Sequence, residues 1–92
     1  MNRKLKHLVV FIDLVLLKAE VKERNKILDL INEIKDNLNL EITHLGTQKT
    51  DIKRVNLQLQ QLNKIDSLLR DFSLSKKNDL FNAKENLIEL FK

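Results

Sequence analysis

The sequence predicts an all-α protein, an antiparallel four-helix bundle built on a central helical hairpin that turns near Gly46, and three observations predict it. Apolar residues recur at steps of three and four along most of the chain, the spacing that lines one face of an α-helix. Nineteen leucines, no proline and a single glycine favour helix and leave few residues suited to strands or tight turns. The 92 residues, 42% of them apolar, supply one compact core and are too few for two, so residues 1–92 read as a single helical domain.

Helix one is expected from about Lys4 to Leu17. Leu8, Ile12, Val15 and Ala19 form one stripe, and Val10, Leu14, Leu17 and Val21 a second, with Phe11 between them. A helix with two such stripes is expected to be buried on most sides. Its basic start, Arg3, Lys4 and Lys6, followed by the apolar run Leu8 to Leu17, imitates a secretory signal. Asp13 interrupts that run, the Lys18-Ala19-Glu20 behind it offers no small-x-small cleavage site, and the run is about half of a membrane span. No direct membrane insertion is expected. Residues 18–25 hold no strong breaker, so helix one either bends there or simply continues, with Asn25 as the candidate N-cap of helix two.

Helix two places Ile27, Leu30, Ile31, Ile34, Leu38, Ile42 and Leu45 on one face, with Asp29, Glu33 and Lys35 on the other. Gly46 follows where a left-handed residue would close the helix. Thr47 and Thr50 offer caps and Asp51 suits a first turn. Helix three then carries Ile52, Val55, Leu59, Leu62, Ile65, Leu69 and Phe72. Ser75 is the expected N-cap of helix four, with Leu80, Phe81, Leu87, Ile88 and Phe91 on its apolar side. A rival organisation is one long coiled coil, because the heptad register of helix two continues through helix three, broken only at Glu41, Gln48 and Asp66. The hairpin is preferred, since a glycine with two nearby threonines costs a continuous helix roughly 1–2 kcal/mol and makes a turn.

Charge and inventory exclude several function classes. The net charge of +4 is spread along the chain, the only tight basic cluster is Arg3, Lys4 and Lys6, and no aromatic residue outside the apolar positions is free to stack on a base. No nucleic-acid partner is expected. Without cysteine there is no thiolate catalysis or Cys-ligated zinc, and a reducing, cytoplasmic setting fits. Neither His7 nor His44 stands at a triad spacing from a serine or threonine. Glu41, His44 and Asp51 make at best a partial metal site, so no metal and no cofactor are expected. Asp29 with Glu33, and Glu85 with Glu89, read as solvated i,i+4 carboxylates. The chain is expected to bind and not to catalyse.

Two stretches carry a family resemblance: Arg54-Val55-Asn56-Leu57-Gln58-Leu59 opening helix three, and Asp71-Phe72-Ser73-Leu74-Ser75-Lys76 leading into a leucine-containing last helix. Upstream stand Phe11-Ile12-Asp13-Leu14-Val15-Leu16-Leu17 and then Glu23-Arg24-Asn25-Lys26-Ile27-Leu28. Together they resemble the small immunity proteins of class II (pediocin-like) bacteriocins. The resemblance implies a cytosolic antiparallel four-helix bundle that catalyses nothing and protects the producing cell. Its implied partner is the bacteriocin-bound sugar permease of the mannose phosphotransferase system, a membrane permease, with the C-terminal half deciding which bacteriocin is matched. The alternative is a self-associating coiled-coil adaptor or a phage- or plasmid-encoded regulator of a host complex, so the chain is expected as a monomer or a homodimer.

Helix four indicates where a partner binds. Its apolar side chains spread from Leu90 and Ala83, through Leu87, Leu80 and Phe91, to Ile88 and Phe81, an arc of about 180° where docking on a bundle needs about 100°. Phe81 and Ile88 are the candidate partner-binding residues, because an aromatic beside a branched aliphatic makes a good anchor. The competing expectation is that the apolar surface of helix one covers this flank.

Overall fold

The computed structural model describes residues 3–45 and 49–92, with side chains described at 3–43 and 52–92. Four helices form: α1 (Arg3–Lys18), α2 (Arg24–Leu45), α3 (Lys49–Arg70) and α4 (Lys77–Leu90), with a single 3-10 turn at Leu74–Lys76 before α4. Each helix packs on two neighbours, α1 on α2 and α4, and α3 on α2 and α4. This closes a four-helix bundle with principal extents of 42 × 21 × 21 Å and a Cα radius of gyration of 13.3 Å. One unbroken helix over residues 27–72 would be a rod of about 69 Å, so the hairpin is the organisation adopted.

The α2–α3 hairpin is antiparallel, as three polar contacts along it record. Arg24 Nε donates to the Leu69 carbonyl (3.1 Å), Lys35 Nζ to Asn63 Oδ1 (2.9 Å) and Arg54 Nη2 to Glu41 Oε1 (3.3 Å). Each step up α2 is a step down α3. Between the helices Ile27, Ile31, Ile34 and Leu38 meet Val55, Leu62, Ile65 and Leu69, all buried in one core with Leu80, Ala83 and Leu87 of α4. The heptad seam that would join two chains is thus consumed within one. Gly46 and Thr47 lie outside the described residues, as do the side chains of His44, Thr50 and Asp51.

Helix one stops instead of bending through. Lys18 is its last residue, and Ala19 (φ 57°) and Glu23 (φ 52°) both take left-handed backbone conformations around the reversal into α2. Each non-glycine residue in that region costs about 1–2 kcal/mol. The reversal lets Leu5, Leu8, Ile12 and Val15 of α1 pack into the same core as Ile27, Ile31 and Ile34 of α2, at about 1.5–3 kcal/mol for each aliphatic side chain buried. Burial wins over local strain, which is why a segment without a breaker breaks. Asn25 is accordingly inside the first turn of α2, which starts at Arg24, and is not the N-cap. Ala19→Gly is expected to raise the free energy of unfolding by about 1 kcal/mol, because glycine takes the left-handed position without a Cβ clash; a urea titration reads it, and an unchanged or lower midpoint would contradict the assigned backbone.

Three further expectations are corrected. Helix one is buried on one side only: Val10 is 57%, Leu14 45% and Leu17 78% exposed. Its two stripes lie on opposite sides of the helix, and α2 and α4 together cover just one of them. Ser75 does not cap α4; its hydroxyl pairs with that of Ser73 at 2.8 Å, and α4 follows the 3-10 turn with Lys76 at its N-cap. In α3, Leu59 is only partly buried, whereas Gln58 is buried at 4% exposure. Val55, Gln58, Leu62, Ile65 and Leu69 share the buried arc, and Leu59 lies about 80° from its centre.

Candidate functional site

Among the described residues the exposed large apolar side chains include Phe81 on α4 and the outer stripe Val10, Leu14 and Leu17 on α1, with Leu40, Leu57 and Leu74 exposed elsewhere. Along α4 the buried arc is centred on Leu80, Ala83 and Leu87, displaced towards Ala83 by packing on α3. Phe81 and Ile88 are therefore left on the opposite flank, the one turned to α1. Phe81 is 46% exposed and Ile88 half-buried. Helix one does not cover the Phe81 flank, so that competing expectation fails at Phe81 and holds partly at Ile88.

The link between the two helices is Lys84, which the sequence reading passed over. Its side chain is buried (8% residue exposure) although charged. Nζ stands 2.7 Å from Asp13 Oδ1, 3.8 Å from Glu85 Oε1 and 5.0 Å from the Phe81 ring centroid. The aliphatic stem covers core while the ammonium reaches the rim, and the ring face adds a cation–π contact. Asp13 precedes Leu14 and lies one turn from both Val10 and Leu17, so the ion pair joins the Phe81 edge of α4 to the exposed stripe of α1. Val10, Leu14 and Leu17 make an exposed apolar band on α1, and the matched charge pair stands between its border and Phe81.

No family model matches this chain, and no curated protein or solved structure does.

Around the band the polar groups are structural in their contacts. Gln58 Nε2 donates to the Leu90 carbonyl at 2.7 Å, holding the last turn of α4 on α3. Beside it an open cleft of about 230 Å³ is lined by Ile34, Leu38, Glu41, Arg54 and Phe91, among others, with the Arg54–Glu41 ion pair across it. Glu41, expected as a break in the heptad seam, is thus an interhelical partner; Asp66, the other described break, pairs with Arg70 at 2.8 Å. Among the described residues no group of three or more His, Cys, Asp or Glu could hold a metal ion; the Glu41, His44, Asp51 set includes side chains outside those residues. Arg3 and Lys6 are exposed, and Lys4 reaches Glu33 at 3.8 Å. The chemistry on display is apolar contact framed by cations.

A signal for Lys84 was present in the sequence. It stands four residues after Leu80 and three before Leu87, inside the apolar arc, while Asp13 interrupts the apolar run of helix one. Opposite charges, each stranded on an apolar face, are candidates for each other.

Proposed function

We propose that this chain is a bacteriocin immunity protein of the class II kind, a non-enzymatic cytosolic binding protein that protects its cell by engaging a bacteriocin-bound sugar permease through the Phe81 edge of α4. The observation that carries the reading is the half-exposed Phe81 ring beside Ile88, on a helix of the C-terminal half, in an antiparallel four-helix bundle. An exposed aromatic next to a partly buried aliphatic is the composition of an interface anchor. The resemblance of the Arg54–Leu59 and Asp71–Lys76 stretches to that family supplies the partner.

The test is protection in a strain challenged with the matching bacteriocin. Phe81→Ala with Ile88→Ala is expected to abolish most of it, while Phe81→Ala alone moves Tm by less than about 4 °C because half of the ring is already in water. Protection lost together with folding in the single variant would make Phe81 ordinary core, and full protection in the double variant would remove this edge from the mechanism.

A second reading, the self-associating adaptor, draws on a different observation: the Val10, Leu14, Leu17 stripe at helical spacing on the outside of α1. A dimer mass in sedimentation equilibrium, lost in Leu17→Glu, selects it.

A further inference from the structure

The outer side of α1 carries two features that the fold itself does not use. With no acid in its first turn, the helix opens on Arg3, Lys4 and Lys6, and positive charge at a helix N-terminus opposes the macrodipole. Of these, Lys4 is offset by Glu33, whereas Arg3 and Lys6 have no ion-pair partner among the described residues. At about 100° per residue, Arg3, Lys6 and His7 share the side of Val10, Leu14 and Leu17, away from the buried Leu5, Leu8, Ile12 and Val15. The acids that border this side are each matched: Asp13 by Lys84, Glu20 by Lys22 and Glu23 by Lys26. One face therefore offers cations at one end, apolar side chains over the next two turns or so, and no unmatched carboxylate.

We propose that this face lays α1 on a membrane surface bearing anionic phospholipid, with Arg3 and Lys6 at the headgroups and Val10, Leu14 and Leu17 at the acyl boundary. Charge complementarity selects the occupant: cations set beside exposed aliphatic side chains on one helical face are what an interfacial helix presents to anionic lipid. The contact is peripheral, since no helix among the described residues is long and apolar enough to cross a membrane. A second copy of the chain fits less well. Val10, Leu14, Leu17 and Phe81 are few beside the roughly 20–30 residues a side of a specific dimer, and each copy carries a net charge of +4.

The inference stands apart from the immunity reading and is tested on the purified full chain, without permease or bacteriocin, by flotation with vesicles. Partition into phosphatidylglycerol–phosphatidylcholine vesicles is expected to exceed that into phosphatidylcholine alone by about tenfold, and to fall when salt is raised from about 0.1 M to 0.5 M. Leu17→Glu, at a position 78% exposed, is expected to remove binding while far-UV circular dichroism and Tm stay as in the unmodified chain. Arg3→Gln with Lys6→Gln is expected to erase the preference for the anionic vesicles. Equal partition into both vesicles, or anionic binding untouched by Leu17→Glu, overturns the proposal. So does a dimer that Leu17→Glu dissociates in a protein that ignores vesicles, which gives the face to a second copy. A failed protection assay leaves this result untouched, and the reverse holds.

Discussion

Leu62→Ala is expected to lower the free energy of unfolding by about 2–5 kcal/mol, a large part of the roughly 5–14 kcal/mol available to a chain of this length. Leu62 is fully buried between the hairpin and α4, and removing its three outer carbons leaves a cavity that rigid helices on three sides cannot close. Leu59→Ala, one position after the buried Gln58, is expected to cost about half as much, since its side chain already meets water. With an m-value of about 1–3 kcal/mol/M in urea, the first substitution moves the midpoint by about 1 M or more. Equal midpoints for the two variants would mean that α3 is rotated from the orientation described. Asp29, exposed on the outer side of α2, is the control, and Asp29→Ala is expected to change little.

The second large effect is asymmetric and belongs to Lys84 and Asp13. Asp13→Ala leaves the ammonium of a side chain only 10% exposed with Glu85 at 3.8 Å and the Phe81 ring at 5.0 Å. For a fully buried pair that loss costs about 3–5 kcal/mol. Asp13 is 52% exposed at its side chain, so solvent screens part of it and about 1–2 kcal/mol is expected. Lys84→Met keeps the apolar stem, removes the charge and is expected to cost less than about 1.5 kcal/mol. The double variant should match Lys84→Met alone, because once the ammonium is gone Asp13 has nothing to neutralise. Urea unfolding of the four proteins closes the cycle, and strict additivity would show that the 2.7 Å contact carries no energy.

Most of the fold was legible because helical period reports which residues share a face. Ile27, Ile31, Ile34 and Leu38, and Val55, Leu62, Ile65 and Leu69, were readable as stripes and are the buried faces of α2 and α3. The short connections were less legible. At Ser73–Lys76 a hydroxyl pair and Lys76 bonding back to the Asp71 carbonyl at 2.6 Å replace the single serine cap, a choice among local hydrogen bonds of similar energy. The candidate site was half legible: Phe81 and Ile88 follow from the width of an apolar arc, while the Lys84–Asp13 pair that ties them to α1 joins residues 71 positions apart and needs two helices to be placed first.

By itself, the sequence determined that the chain is helical and which side chains each helix groups together, since backbone geometry converts spacing into faces without reference to anything else. Tertiary structure alone decided which face went inside. Helix one has two apolar stripes, and nothing within it ranks them; α2 and α4 cover Leu5, Leu8, Ile12 and Val15, and leave Val10, Leu14 and Leu17 in water. The same packing put Gln58 and Lys84 inside, because a neighbouring helix can supply a carbonyl or a carboxylate that a lone helix lacks. Burial is a relation between elements, and one element's periodicity can state only what it has to offer.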